Sequence, residues 1–431
     1  MPPLLRIALI SEHASPLAAV GGVDAGGQNI YVAHVARALA RRGHHVDVLT
    51  RRDSLDPRAA VDLRPGVRVL HIPAGPARFV PKERLLPHMD AFTRSCGRMF
   101  EASVAYDVIH ANFFMSGLVA LRLKAAFGVP MVMTFHALGL VRREHQGAAD
   151  AFPAERIEIE QRIVDEADCL IAECPQDRND LMRLYGANRA RVSMVPCGVD
   201  LDEFAPGDKR SARRSLGLAD DEFVVLQLGR LVPRKGIDNV VRALAKLDPA
   251  WRARLVVVGG ETARPDASAT PEIARLRDLA ARLGIADRVT FTGHRQRADL
   301  RACYLAADVF VSTPWYEPFG ITPLEAMACG TPVVGSAVGG IQYSVQHGTT
   351  GYLVPPHDPA ALAERLALLH ANPSLAEALG RAGVARVRSM FTWDKVAAEL
   401  ANTYHALRAP RSGRPGAARA LRLVEQAGAG A

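Results

Sequence analysis

One pattern constrains this chain more than any other: short runs rich in β-branched residues alternate with stretches of helical periodicity, and the alternation is played through twice. Residues 4–10, 46–50, 67–72, 108–110, 131–134, 169–172 and 192–195 read as strands of a first series. Residues 28–42 read as a helix. Val32, Val35, Ala36 and Leu39 recur on one apolar face at three- and four-residue spacing, and Gly43 closes it. Steady alternation of strand and helix builds a parallel sheet with helices on both faces. After Pro196-Cys197-Gly198-Val199-Asp200 and a polar stretch at 206–214 the pattern restarts, with strands expected at 223–228, 255–258, 289–291, 309–312, 333–335 and 351–354. A chain of 431 residues is too long for one ordinary core. The expectation is an α/β protein of two doubly wound, Rossmann-like domains facing a cleft, the first over 1–204 and the second over 205–385. Residues 386–408 are expected as a C-terminal helix packing back on the N-terminal domain. The basic, Gly/Pro-rich stretch 409–431 is expected to be a disordered tail.

Charge and cysteine usage narrow the ligands. There are 53 Lys and Arg against 45 Asp and Glu, a formal charge of +8, and the excess is spread along the chain. No aromatic-interleaved basic stripe and no nucleic-acid module accompanies it, so phosphate-bearing small molecules are expected as partners and nucleic acid is not. Cys96, Cys169, Cys174, Cys197, Cys303 and Cys329 form no CxxC pair and have no histidines at zinc spacing. They predict reduced, mostly buried thiols in a cytoplasmic protein. The apolar start of the chain is broken by Arg6 and followed by Ser11-Glu12-His13, which suits a first strand better than a signal peptide. No apolar stretch is long enough for a transmembrane segment.

The chemistry is expected in loops that follow strands, where sheets of this kind bind ligands. The segment Trp315-Tyr316-Glu317-Pro318-Phe319-Gly320-Ile321-Thr322-Pro323-Leu324-Glu325 follows a strand and opens a helix near Thr322. The amides and positive dipole end of that helix suit a diphosphate, which makes Phe319, Gly320, Ile321 and Thr322 donor-binding candidates. Pro323 fits the first helical turn. Glu317 and Glu325, eight residues apart, can hold two hydroxyl-rich ends of one ligand. In Gly229-Arg230-Leu231-Val232-Pro233-Arg234-Lys235-Gly236, also after a strand, Arg230 and Lys235 can stabilise the negative charge of a departing phosphate. No convincing Asp-x-Asp motif offers a metal for that task, so neither a metal nor another cofactor is expected. The loop Gly21-Gly22-Val23-Asp24-Ala25-Gly26-Gly27-Gln28-Asn29 lacks the GxGxxG spacing, which disfavours a dinucleotide oxidoreductase. Its glycines still let backbone amides approach a ligand closely. His136, in Thr134-Phe135-His136-Ala137-Leu138-Gly139, follows another strand.

The Glu317–Glu325 segment, together with Gly339-Gly340-Ile341, closely resembles the E-x7-E region of retaining glycosyltransferases of family 4, which have the two-domain GT-B fold. The resemblance extends to about Arg408. It implies a catalytic set of Glu317, His136, Arg230 and Lys235. Glu317 would contact the donor sugar, Glu325 the ribose hydroxyls, and Arg230 and Lys235 the diphosphate beside Gly229. His136 would lie near the reacting end of the donor sugar. Gly26, Gly27 and Gln28 would lie between donor and acceptor. Arg156, in Arg156-Ile157-Glu158-Ile159-Glu160, resembles the phosphate-binding Arg of enzymes with phosphorylated acceptors, and Lys82 is a second candidate for that phosphate. Asp24 to Val32 and His136-Ala137-Leu138-Gly139 look most like the bacterial sucrose-phosphate synthase branch, which implies UDP-glucose and fructose 6-phosphate. The inositol-phosphate N-acetylglucosaminyltransferases are also similar, although they tend to have Tyr and Thr where this chain has Phe113 and Ala137. A GDP-mannose-dependent mannosyltransferase, a nucleotide-sugar 2-epimerase and a non-catalytic sugar-nucleotide sensor are the other readings. No protein nucleophile stands out, so the expected course is attack on the face the nucleotide leaves, with double displacement as the alternative.

Overall fold

The computed structural model describes residues 3–18, 26–56 and 58–408. Gly21, Gly22, Asp24 and Ala25 of the first glycine loop, and the stretch 409–431, lie outside the described residues. The chain divides into two compact units. One takes in the described residues up to Pro196 together with 393–408; the other is Cys197–Thr392.

The first unit is built on an eight-stranded sheet of β1 (Arg6–Ile10), β2 (His45–Arg51), β3 (Ala60–Arg64), β4 (Val67–Ile72), β5 (Val108–Asn112), β6 (Met131–Thr134), β7 (Cys169–Ala172) and β8 (Val192–Met194), in the order β3-β4-β2-β1-β5-β6-β7-β8. β1, β5, β6 and β7 are almost wholly buried, which is why they read in the sequence as unbroken apolar runs. Every pairing is parallel except β3 with β4, a hairpin at the sheet edge. β3 is absent from the sequence reading, and its half-exposed Ala-Val-Asp-Leu-Arg carries little signal. The second unit has a six-stranded, all-parallel sheet of β9 (Phe223–Leu228), β10 (Ala253–Val258), β11 (Val289–Gly293), β12 (Val309–Ser312), β13 (Val333–Ser336) and β14 (Gly351–Val354), in the order β11-β10-β9-β12-β13-β14. In both sheets the order reverses beside the first strand, between β1 and β5 and between β9 and β12. Connections leave such a point in opposite directions and open a crevice at the strand ends.

The second unit begins at Cys197 rather than 205, and the segment 386–408 is split. The helix Pro373–Met390 belongs to the second unit and the helix Trp393–Leu407 to the first. Two buried aromatics two residues apart account for the split. Phe391 is fully buried against Phe319 and Tyr343 in the second unit. Trp393 stacks on His34 at 5.1 Å and meets the edge of Tyr31 at 5.9 Å in the first. Further along, Tyr404 is hydrogen-bonded at 2.7 Å to His110, which also bonds Thr134 at 2.8 Å. Burial, with a smaller push from His136, drops the His110 pKa to about 3 and keeps the ring neutral. All six cysteines are buried and none forms a disulfide. No helix among the described residues is long and apolar enough to cross a membrane.

Trp393→Ala should lower the unfolding free energy of the first unit by about 3–5 kcal/mol, the usual cost of emptying a buried aromatic site. Asp394→Ala removes an exposed ion pair with Arg41 and should cost no more than about 1 kcal/mol. Denaturant unfolding of the two variants checks the difference.

Candidate active site

In the second unit the loops that follow β9 and β12 carry the candidate groups. They are joined by backbone contacts that need glycine. Gly236, with φ +64°, opens the helix Ile237–Leu244; a Cβ there would lie 2.0 Å from the Thr313 carbonyl oxygen. Thr313 Oγ1 donates to the Gly236 carbonyl at 3.0 Å, and the Trp315 amide donates to the Arg234 carbonyl at 2.9 Å. From the other side Gly339 and Gly340 press against the same loop. Their missing Cβ atoms would stand 1.7 Å from the Glu317 carbonyl oxygen and 2.3 Å from that of Phe319.

This packing brings Lys235 Nζ onto Glu317 Oε2, with side chains only 19% and 13% exposed. Burial works against the Glu317 charge, but Lys235, Arg234 and Arg230 outweigh it and hold the carboxyl below its usual range. Burial lowers the Lys235 pKa, with the neighbouring arginines adding to the effect and Glu317 opposing it. Arg230 is exposed at the loop's start. Arg234 lies over the Tyr316 ring at 5.2 Å. Gly320, with φ +88°, precedes the helix Ile321–Ala328, whose first-turn amides have no intrahelical acceptor. Phe319 is 3% exposed and packs toward Phe391, so it faces its own core. Glu325, one turn into the helix, is 2% exposed. It accepts from Tyr304 Oη at 2.7 Å and from Arg297 Nη1 at 3.0 Å.

In the first unit the candidates gather where β1, β5 and β6 end. Gly26 caps the helix Gly27–Arg41, and its amide donates to Asn29 Oδ1 at 3.0 Å. Gln28 Nε2 donates to Ser11 Oγ and to the Asn112 carbonyl, both at 3.2 Å. His136 has the left-handed φ of +58°. Its ring is fixed by Asn112 Oδ1 at 2.9 Å, by Glu173 Oε1 at 3.2 Å and by the edge of Tyr31 at 4.8 Å. Phe113, at the end of β5, has φ +81° and ψ 155°, a backbone region almost reserved for glycine. Such strain costs about 1–3 kcal/mol and gathers at functional sites.

Arg156 is not displayed on a surface. It is 1% exposed and enclosed by the rings of Phe113, Phe114 and Phe152 at 5.1, 4.9 and 4.6 Å. Nε pairs with Glu160 at 2.7 Å and Nη2 donates to the Ala137 carbonyl at 2.5 Å, while Nη1 is buried without a partner. Lys82 lies in the turn Lys82–Arg84, 3.8 Å from Glu83.

Residues 25–203 match the family described as Glycosyltransferase Family 4, and residues 208–386 that described as Glycosyl transferases group 1. The chain belongs to glycosyltransferase family 4. D-inositol 3-phosphate glycosyltransferase 2 of Catenulispora acidiphila is 42% identical over 409 residues, covering 93% of this chain and 94% of that one. The D-inositol 3-phosphate glycosyltransferase of Actinosynnema mirum is 41% identical, with 93% and 96% covered. Among solved structures, the sucrose-phosphate synthase of Thermosynechococcus elongatus is 38% identical with a TM-score of 0.85, covering 94% of this chain and 99% of that one. The two units are those of the GT-B fold.

The geometry of this glycosyltransferase adds residues that the sequence reading passed over. Glu12, 1% exposed at the end of β1, meets His13 Nδ1 at 2.6 Å and accepts from Ser116 Oγ. Its signal was position alone, in the polar run after the first strand. Arg297 and Tyr304 lie seven residues apart and so share a helical face, a spacing visible in the sequence. Gly340→Ala should cut transferase activity on the order of a hundredfold, the usual effect of displacing reacting groups by about 1 Å. Its circular dichroism should stay that of the parent; an unchanged kcat would show that the 317–319 loop tolerates the shift.

Proposed function

We propose that the protein transfers a hexosyl group from a nucleotide diphosphate sugar to a small phosphorylated polyhydroxy acceptor, with retention at the anomeric carbon and without a metal ion. The observation that carries the reading is the buried Lys235–Glu317 pair flanked by Arg230 and Arg234. Three cations against one carboxylate leave an excess of two positive charges, which matches a diphosphate. The first-turn amides of the helix Ile321–Ala328 add fixed positive charge. In this reading the second unit binds the nucleotide sugar. Lys235 and Arg230 stabilise the oxygen that leaves, Glu317 contacts the sugar, and Glu325 takes the ribose hydroxyls. The first unit binds the acceptor, and His136 contacts the sugar near its reacting end. The acceptor hydroxyl attacks on the face the nucleotide leaves, and the departing phosphate oxygen takes its proton. No protein nucleophile is then needed.

An inositol phosphate is the first acceptor, by the names of the relatives that match over 93% of the chain. Fructose 6-phosphate is a second reading with its own observation. Phe113 and Ala137 bring no side-chain hydroxyl to the Arg156 region, and the solved sucrose-phosphate synthase is 38% identical. The deciding experiment incubates the protein, after exhaustive chelation, with UDP-glucose, UDP-N-acetylglucosamine or GDP-mannose. Each donor is tested against D-inositol 3-phosphate, fructose 6-phosphate and their unphosphorylated forms. A UDP-sugar with one phosphorylated acceptor should give full turnover and an α-linked product by NMR. Activity restored only by magnesium or manganese would overturn metal independence.

Arg156 Nη1 is the nitrogen through which the acceptor phosphate is read. An orphaned buried donor costs about 1–3 kcal/mol, which a phosphate oxygen removes. Arg156→Ala should lower kcat/KM for the phosphorylated acceptor by roughly 2–4 kcal/mol, the scale of a lost buried charge contact. Donor KM should change by a smaller factor. Equal wild-type kcat/KM for phosphorylated and free acceptor would remove the basis of this assignment.

A further inference from the structure

Glu325 is surrounded more completely than a ligand-binding carboxylate needs for burial alone. Arg297 and Tyr304 lie on one face of the helix Arg297–Ala306 and reach it together. Tyr304 Oη donates to Oε2 at 2.7 Å and Arg297 Nη1 donates to Oε1 at 3.0 Å. An ionised carboxylate accepts about four hydrogen bonds, two on each oxygen. One position on each oxygen is therefore taken and one on each is left. Two neighbouring acceptors suit two neighbouring hydroxyls.

The partners are themselves fixed. Tyr304 is fully buried, and its carbonyl accepts from Thr331 Oγ1 at 2.7 Å. Burial, reinforced by the Glu325 charge, pushes the phenol well above its ordinary range, so it stays a donor. Arg297 Nε is held by Glu203 at 2.5 Å, and the guanidinium lies over Phe204 at 5.0 Å. Phe204 in turn meets the Tyr304 ring at 5.8 Å. The carboxylate cannot turn without breaking a bond to a group that cannot follow it.

We infer that Tyr304 and Arg297 are positioning residues that aim Glu325 at the ribose diol, so that preference for ribose over deoxyribose depends on all three side chains. The inference rests on the reading of Glu325 given above, and the experiment separates the two. Calorimetry measures binding of UDP and 2′-deoxy-UDP to wild type, Tyr304→Phe and Arg297→Gln. Wild type should prefer UDP on the order of ten- to a hundredfold, the range of a hydrogen bond to a charged group. Both variants should shrink that ratio to about threefold or less. They should do so by weakening UDP while leaving 2′-deoxy-UDP nearly unchanged, and kcat at saturating donor should stay close to wild type. A variant that weakens both nucleotides by the same factor would show a merely structural role and overturn the inference. Equal wild-type affinity for the two nucleotides would instead overturn the ribose reading of Glu325. Tyr304→Phe keeps the packing of the ring, so it decides alone if Arg297→Gln fails to fold.

Discussion

The Lys235–Glu317 pair depends on how closely two loops can approach. Lys235 belongs to the loop after β9 and Glu317 to the loop after β12. They meet because Gly236 lies flat on Thr313 and because Gly339 and Gly340 lie flat on the Glu317–Phe319 backbone. A methyl group at any of these glycines would occupy the space of a carbonyl. The electrostatics follow from that packing. A carboxylate buried alone would be driven toward its neutral form, and a lone buried lysine would lose its proton. Here Glu317 stays ionised because Lys235, Arg234 and Arg230 surround it.

The first unit solves a related problem by tying its groups to one another. His136, Asn112 and Glu173 come from the ends of β6, β5 and β7, and each side chain is held by another. Arg156 works from behind this set. Through Nη2 it holds the Ala137 carbonyl, and through Glu160, which accepts from the Gly139 amide at 2.8 Å, it fixes the segment after His136. A cation enclosed by three phenylalanine rings and one carboxylate has little freedom, so the segment it carries has little either.

Much of this was legible because burial on both faces of a parallel sheet demands continuous apolar strands. The cores of β1, β5 to β7, β9, β10 and β12 to β14 stood out for that reason, and β4 by the alternation of Val67, Val69 and exposed Arg68. β3 did not, since Ala-Val-Asp-Leu-Arg is a short edge strand with no fully buried residue. The junctions escaped because Phe391 and Trp393 are both simply apolar in sequence, and only packing assigns them to different cores. For the site, motif spacing located Arg230, Lys235, Glu317 and Glu325 in their loops and helix. It could not tell that Arg156 is enclosed, because Phe113, Phe114 and Phe152 come to it from separate elements. Nor could it pair Glu325 with Tyr304, 21 residues earlier.

The return of the chain to the first unit has a consequence for the order of events at the ribosome. Residues 197–392 form one continuous stretch and can fold as soon as they emerge. The first unit cannot close, because Trp393 and Tyr404, which complete the surroundings of His34 and His110, are made after the whole second unit. At about 5–20 residues per second that interval is about 10–40 s. During it, a nearly complete sheet waits with the seat of its last helix open to water. Chaperone dependence should therefore concentrate on the half of the protein that is synthesised first and finished last.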